Sequence, residues 1–284
     1  MFQLELENER GNIVDINDGM RYIVIGCSGL NPPSAELFLS KSPNRKGAKF
    51  NGSSLDERSI DITIKLLGDV EANRNALYPW VDSENYCKIR YKNGVRSVYC
   101  EGYVQDCPIE FFTDNEVINL SIICPNPYWH DLVAISTEIS NIVKQFVFPF
   151  SIDSAGVPLS TILESNRTVI FNNGAETGMR LVVKCVKEAS GFMIFDAASP
   201  SRLFKIGATL SAGDTLVIDT NSSPKTVKIY RANGTVENAM RYIVGFPTWF
   251  TLKNGSNAFA YTTDSGGLES VVVSVEWTQK YKGV

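Results

Sequence analysis

Strict alternation of apolar and polar residues limits what this chain folds into more than any other feature. It runs through three separate segments, SIDITIKLL (59–67), VINLSIIC (117–124) and SVVVSVEW (270–277). Successive side chains of a strand point to opposite faces, so the pattern predicts strands with one buried face. The residues expected to face the interior are Ile60, Ile62, Ile64 and Leu66, then Ile118, Leu120, Ile122 and Cys124, and finally Val271, Val273, Val275 and Trp277.

Turn dipeptides between apolar runs strengthen the strand prediction. Asn93-Gly94 and Asn233-Gly234 each interrupt an alternating segment, and Asp18-Gly19 lies in NIVDINDGMRYIVIG. These dipeptides adopt the positive φ that tight hairpins require. The sequence therefore predicts a mainly β protein with three such hairpin turns.

One segment, GDVEANRNALYPWV, has the signature of a helix instead. Asp69 is a good N-cap residue and Glu71 lies in the first turn. Pro79 disfavours helical backbone at the residue before it, Tyr78. We therefore predict one short helix over residues 70–78.

The stretch CPNPYW, in the middle of the chain, ends the second alternating segment abruptly. Pro125 and Pro127 have no N–H for a sheet ladder, and Tyr128 and Trp129 follow them at once. We interpret these four residues as a domain junction, with the aromatic pair packed at its base. The predicted domains are residues 1–130 and 147–284, joined by a connector over 131–146 that leads into a strand near Phe146–Phe150.

A polar segment without clear period extends from residue 26 to residue 58. A loop of that length is usually either functional or disordered. Four cations give it local positive charge: Lys41, Arg45, Lys46 and Lys49. Two interpretations stay open at this point: a solvated loop, or an arm that becomes ordered on a partner surface.

Composition argues against several classes of function. The formal net charge is -4, which is not the footprint of a protein that grips nucleic acid. No apolar run is long enough to cross a bilayer, and the N-terminal segment has acids where a signal peptide has bases. We expect a chain made inside the cell and left unprocessed, whose six cysteines are mainly buried free thiols.

Residues for catalysis or metal binding are sparse. His130 is the one histidine, so a multi-histidine metal site is excluded, and a serine triad would have to use it. DINDG begins like a calcium loop, but the twelfth position is Gly26 and not glutamate. We predict no catalytic residue, no cofactor and no metal.

Several motifs, in their order along the chain, resemble the distal tail protein family of long-tailed bacteriophages. In the first half these are R-x-x-L-Y (74–78), GYV (102–104) and CPNPYW (124–129). The second half is independently similar to the C-terminal domain of that family. Its motifs are Asn173-Gly174, GATLSAGDTLVIDT (207–220), WFTLKNGSNAFAY (249–261) and YKGV (281–284).

The resemblance implies a fold and a structural role. It implies an N-terminal β-sandwich or split-barrel ring domain with one short helix and a C-terminal galectin-like (carbohydrate-module-like) β-sandwich whose last strand returns to the N-terminal domain in some members. Six copies would form a ring at the virion tail tip, between the tail tube protein and hub, fibre or receptor-binding proteins. DNA would only pass through the ring, no membrane would be bound, and the protein would be made in the bacterial host cytoplasm. The segment 26–58, with its four cations, would be an arm that belts the neighbouring subunit.

Two other functions remain as alternatives. In a carbohydrate-binding module for host adhesion, Trp249, Phe250, Phe259 and Tyr261 would form a sugar-stacking platform. Alternation instead favours burial of these aromatic residues in the core. A cell-wall hydrolase of the tail tip would need a pair of catalytic carboxylates, for which the sequence offers no candidates.

Overall fold

The chain forms two structural units, each with its own sheets and its own core. The computed structural model describes residues 2–42, 46–109, 116–139, 167–221 and 224–284, and the backbone of 142–144 and 160–162. The first unit comprises residues 1–132 and 280–284, and the second comprises residues 133–279.

The first unit contains one helix and eleven of the described strands. The helix is α1 (Val70–Val81). The strands are β1 (Gln3–Asn8), β2 (Ile13–Asp15), β3 (Tyr22–Cys27), β4 (Ala35–Ser40), β5 (Lys49–Leu55), β6 (Arg58–Leu66), β7 (Tyr86–Lys92), β8 (Ser97–Asp106), β9 (Val117–Cys124), β10 (Trp129–Asp131) and, near the end of the chain, β25 (Lys280–Tyr281).

The main sheet of this unit has nine strands. Its central path runs β2-β1-β7-β8-β9-β6-β3, with β10 paired to β8 and β25, and β4 pairs only with β5. The predicted inward residues of β6 and β9 are all buried, so the alternation prediction is confirmed for both strands. They pack with Leu4 and Leu6 of β1 and Leu77 and Val81 of α1 in one hydrophobic cluster.

The helix ends later than predicted. Asp69 caps it as expected, with its side chain accepting a hydrogen bond from the Ala72 N–H, but the helix continues through Pro79 to Val81. Leu77 and Val81 are both buried, and the Asp82 N–H still bonds to the Tyr78 carbonyl. Burial of an apolar residue one turn beyond Leu77 therefore outweighs the local cost of the proline.

Two of the three predicted hairpin turns are confirmed, and one is wrong. Asn93-Gly94 joins the paired strands β7 and β8, and Asn233-Gly234 lies between two paired strands of the second unit. Asp18-Gly19 instead separates β2 from β3, which pair with β1 and β6 respectively. The Asp18 carboxylate accepts hydrogen bonds from the N–H groups of Met20, Arg21 and Tyr22, which stabilises a turn between strands that do not pair with each other.

The second unit has two larger sheets. Its strands are β11 (Ile135–Glu138), β12 (Ile142–Lys144), β13 (Ser160–Ile162), β14 (Thr168–Asn172), β15 (Thr177–Gly178), β16 (Arg180–Cys185), β17 (Ala189–Asp196), β18 (Ser199–Leu210), β19 (Thr215–Asp219), β20 (Thr226–Tyr230), β21 (Val236–Asn238), β22 (Thr251–Leu252), β23 (Gly255–Thr262) and β24 (Val271–Trp277). Short 3-10 helices lie at Met240–Tyr242 and Leu268–Ser270.

These two sheets share one core. Six strands run β11-β24-β16-β19-β20-β21, and four run β14-β23-β17-β18. Side chains from both sheets form a single hydrophobic cluster, which is the arrangement of a β-sandwich. Val271, Val273, Val275 and Trp277 of β24 are buried as predicted.

The segment predicted as a connector contains sheet. Strand β11, at 135–138, pairs with β24, with Ile135 opposite Trp277. Its β-branched residues suit an edge strand of this sheet better than the linker expected from sequence. The strand predicted near 146–150 lies outside the described residues, and the domain boundaries drawn from the sequence stay predictions.

Candidate assembly interface

The turn CPNPYW lies inside the first unit. Pro125 and Pro127 occupy the interval between β9 and β10, and the sheet resumes at Trp129. The chain therefore does not leave the unit at the prolines, as the junction interpretation expected, but makes a short detour to a further strand. In that strand Trp129 pairs with Tyr281 and His130 pairs with Lys280.

Trp129 is the aromatic residue of this turn that is wholly buried. Its ring lies 6.4 Å from that of Tyr91, centroid to centroid, and Tyr128 beside it is only partly buried. The guanidinium of Arg58 lies 5.5 Å from the Trp129 ring centroid, which is within range of a cation–π contact.

Arg58 ties together three parts of the first unit. It is 2% exposed, and its guanidinium donates to the carbonyls of Pro127 (2.8 Å), Asn31 (2.6 Å) and Lys282 (2.6 Å), and to that of Gly29. These acceptors belong to the CPNPYW turn, the segment before β4, and the segment after β25. Burial lowers the pKa of Arg58, but four carbonyl oxygens compensate for the lost water.

Sequence reasoning missed Arg58, although a signal was present. Arg58 has the same parity as Ile60, Ile62 and Ile64, so on the alternation argument it faces the core. A cation on the apolar face of a strand indicates a buried group with dedicated partners. We instead placed residue 58 at the end of a polar segment.

Strands β4 and β5 form an exposed hairpin within the segment that looked aperiodic. We call residues 35–55 the hairpin arm. Every residue of β4 is exposed, and the arm leaves Leu37, Phe38, Leu39 and Phe50 between 46% and 59% exposed. Leu39 lies directly opposite Phe50, so the two side chains share one face. Apolar area of this kind on a hairpin is typical of an interaction surface.

The cations predicted for an inter-subunit arm lie around the end of this hairpin. Lys41 and Lys46 are in the connection between β4 and β5, and Lys49 begins β5; all three are exposed. Arg45 lies outside the described residues. The arm therefore combines an apolar stretch with a basic tip.

The aromatic residues proposed as a sugar platform do not form an exposed surface. Phe250, Phe259 and Tyr261 are buried in the core of the second unit. Trp249 is only partly buried, and its ring packs edge-on against Phe204 with centroids 5.0 Å apart. The burial that alternation favoured is therefore found at Phe250, Phe259 and Tyr261, because the face of β23 that carries Phe259 and Tyr261 points into the sandwich.

His130 has the surroundings of a structural residue. It stacks on Tyr99, with ring centroids 5.4 Å apart, and its Nε2 lies 3.2 Å from the Asn126 side-chain nitrogen. Burial, together with the charge of Lys280, lowers its pKa to about 4. The imidazole is therefore neutral near pH 7.

Metal sites and membrane spans are also absent from the part of the chain that the structure describes. No cluster of three or more His, Cys, Asp or Glu side chains in that part could hold a metal ion. No helix in it is long and apolar enough to cross a membrane.

All six cysteines are free thiols, as predicted. Cys87, Cys100, Cys124 and Cys185 are buried, whereas Cys27 and Cys107 are partly exposed. Burial raises the pKa of Cys87 to about 12. Such a thiol is a small apolar core residue and not a nucleophile.

This chain resembles known phage tail proteins both in sequence and in fold. Residues 165–281 match the family model described as siphovirus-type tail component, C-terminal domain. The resemblance to the distal tail protein family is confirmed. No curated protein matches the chain.

Solved structures of phage proteins share the fold. The Dit protein (gp 19.1) of phage SPP1, described as a paradigm of the hub adsorption apparatus in phages that infect Gram-positive bacteria, superposes with a TM-score of 0.71. The match covers 99% of each chain at 13% identity. A chain of the phage P2 baseplate, in its activated conformation with calcium, matches over 100% of both chains with a TM-score of 0.55 and 12% identity. The mainly β fold of these phage proteins therefore extends over nearly the whole chain.

Proposed function

We propose that this protein is a structural, non-enzymatic component of a phage tail, a distal hub ring that joins the tail tube to the tail-tip apparatus. The observation that carries the proposal is the match to the SPP1 hub protein over 99% of both chains. The family match at residues 165–281 supports it from sequence. The protein would act at the virion tail tip after synthesis in the cytoplasm of the bacterial host.

The ring would be a homo-hexamer held by the first unit. Its hairpin arm has the exposed apolar area that a contact between subunits needs. Closed rotational symmetry lets such an arm meet a different surface on the next copy without forming fibres. The second unit would then be available to fibre or receptor-binding proteins.

The charge of the chain suits a conduit for DNA. A net charge of -4 provides no overall basic field that would retain a translocating genome. Its partners would be the tail tube protein and the hub or fibre proteins, with DNA only passing through.

Native mass spectrometry and negative-stain imaging of one purified sample test the proposal. We expect hexamers by mass and six-fold rings with a central hole by imaging. Protein that stays monomeric over the whole accessible concentration range, alone and with tail tube protein, would contradict the proposal.

A glycan screen addresses the carbohydrate-binding alternative. Because three of its four platform residues are buried, we expect no sugar binding that depends on Trp249. Binding that is lost in a folded W249A variant would revive that alternative.

A further inference from the structure

Five Asn-Gly dipeptides occur in this chain, and they differ in how the structure holds the glycine N–H. They begin at Asn51, Asn93, Asn173, Asn233 and Asn254. Because glycine has no Cβ, its backbone nitrogen can approach the side-chain amide of the asparagine before it. Asparagine is chemically labile for this reason, so the surroundings of each dipeptide decide whether it reacts.

In four of the five dipeptides the glycine lies in a paired strand or donates a hydrogen bond. Gly52 and Gly255 lie within the paired strands β5 and β23. The Gly174 N–H donates to a side-chain oxygen at 3.0 Å, and the Gly234 N–H donates to the Arg231 carbonyl at 2.9 Å. A backbone nitrogen that donates a hydrogen bond must release it before the nitrogen can react.

Gly94 differs from the other four glycines. It lies in the turn over residues 93–96, between β7 and β8, and it is exposed. Its N–H donates to no group among the residues that the structure describes. A Cβ added to Gly94 would meet none of their atoms within 4 Å. Its backbone nitrogen is therefore accessible and has no hydrogen bond to release.

The Asn93 side chain is held in a position that favours attack on its amide carbon. Its Oδ1 accepts hydrogen bonds from the Val95 N–H at 2.9 Å and from the Arg96 N–H at 2.8 Å. These bonds keep the side chain folded back over the main chain of the turn. Negative charge develops on Oδ1 when a nucleophile adds to Cγ, and two N–H donors stabilise that charge.

We propose that Asn93 is a site of spontaneous deamidation through a succinimide. The Gly94 nitrogen forms a bond to Cγ of Asn93, the C–N bond of the side-chain amide breaks, and the amide nitrogen leaves as ammonia with the proton from Gly94. Water then opens the succinimide ring at either carbonyl, which gives aspartate or isoaspartate at position 93. The reaction consumes only water, and it does not depend on the proposed ring.

The isoaspartate product should weaken the attachment of the last residues of the chain. The guanidinium of Arg96 donates to the Gly283 carbonyl at 2.8 Å and lies 4.2 Å from the Tyr281 ring centroid. The Arg96 carbonyl in turn accepts from the Asn93 N–H at 2.9 Å. Isoaspartate adds a methylene to the main chain after position 93, which displaces Arg96 from both contacts. Residues 280–284 should therefore be held less firmly as the protein ages.

Peptide mapping of aged full-length protein tests the proposed site. The folded protein is incubated at mildly alkaline pH and digested under acidic conditions, and mass spectrometry with isoaspartate detection follows each dipeptide with time. We expect Asn93 to convert at least about fivefold faster than Asn233, because one hydrogen bond of the kind that Gly234 must release corresponds to about that factor. Asn233 is the matched comparison, since its Oδ1 also accepts two bonds, both from Thr235.

The same measurement on protein unfolded in denaturant separates the effect of the structure from that of local sequence. Asn93 and Asn233 should convert at similar rates once the chain is unfolded. Equal rates at the two sites in the folded protein would overturn the proposal. A difference that persists unchanged after unfolding would also overturn it, because the cause would then be local sequence and not the turn.

Gly94→Ala isolates the reaction within the folded protein. The added methyl group has open space, so we expect the wild-type circular dichroism spectrum and Tm. It also hinders the backbone nitrogen, so conversion of Asn93 should become slower than conversion of Asn233. Conversion at the wild-type rate in folded Gly94→Ala would contradict attack by this nitrogen.

Digestion with a carboxypeptidase tests the effect on the last residues. After equal ageing, release of the C-terminal residues should be faster from wild type than from Gly94→Ala. Unaged Asn93→Asp, which has the new carboxylate on a normal main chain, should behave as unaged wild type. Equal release from the two aged proteins would overturn the predicted weakening and leave the deamidation site. Faster release from unaged Asn93→Asp would assign the effect to charge and overturn the role of the inserted methylene.

Discussion

The hairpin arm and strand β6 are adjacent in the chain and opposite in environment. The arm ends at Leu55 and β6 begins at Arg58, yet β4 is exposed along its whole length whereas β6 buries every second residue. The arm has consecutive apolar residues (Leu37, Phe38, Leu39), and β6 alternates strictly. Alternation records which face of a strand its own unit covers, so an arm that has no cover within its unit need not alternate.

Replacing Arg58, which lies where the arm meets β6, should lower the free energy of unfolding more than any other substitution proposed here. Arg58→Met keeps an unbranched apolar stem but leaves the carbonyls of Gly29, Asn31, Pro127 and Lys282 without their donor. We expect a loss of about 3–5 kcal/mol in the free energy of unfolding, as for breaking a buried charged network. Chemical denaturation followed by circular dichroism measures it.

The control is a cation on the surface of the other unit. Arg180 forms a 2.7 Å ion pair with Glu276, and their side chains are 43% and 34% exposed. Arg180→Met should cost no more than about 1 kcal/mol. If both substitutions lowered the free energy of unfolding equally, the buried hydrogen bonds of Arg58 would stabilise the fold no more than a surface ion pair does.

The next largest effect on stability is expected from a pair of substitutions, one on β6 and one on the arm. Ile62→Ala removes a side chain from a buried face and should cost about 2–4 kcal/mol. Phe38→Ala, on the arm, should change the stability of the monomer by no more than about 0.5 kcal/mol. Ring assembly should be weakened more by Phe38→Ala than by Ile62→Ala, because Phe38 is proposed to be buried only between copies. An arm substitution that lowers monomer Tm as much as Ile62→Ala would remove the contrast between the two regions.

The smallest of these losses of stability is expected from replacing Asp18, in the turn that leads into β3. Burial raises the pKa of Asp18, but hydrogen bonds from the N–H groups of Arg21, Tyr22 and Met20 outweigh it and lower the pKa to about 2. A lowered pKa stabilises the fold at pH values above the unfolded-state pKa, and this stabilisation is lost as pH falls through about 2. Asp18→Ala should therefore cost about 1–2 kcal/mol at pH 7. The difference from wild type should shrink between pH 4 and pH 2, and a constant difference would contradict the assigned cause.

Much of the fold was predictable because its determinants are local. The alternating segments that became β6, β9 and β24 carry their burial pattern in their own residues. The Asn-Gly turns and the Asp69 cap likewise depend on neighbours in sequence. The order of the motifs indicated the family whose C-terminal domain model matches residues 165–281.

The errors have a common cause, which is that distant contacts outweigh local preference. Helix α1 runs through Pro79 because Val81 reaches the core, and Asp18-Gly19 resembles a hairpin turn whose flanking strands pair elsewhere. Arg58 was detectable by parity, but its carbonyl partners lie up to 224 residues away.

The pairing of β10 with β25 has a consequence for the order of synthesis. Trp129 lies opposite Tyr281, and the whole of residues 133–279 is translated between them. At about 5–20 residues per second, that interval takes roughly 7 to 30 seconds. During it, the first unit lacks one strand of its sheet and the Lys282 carbonyl that Arg58 binds. A nascent chain therefore cannot finish the proposed ring-forming unit until the second unit has been made, so assembly is deferred to full-length protein.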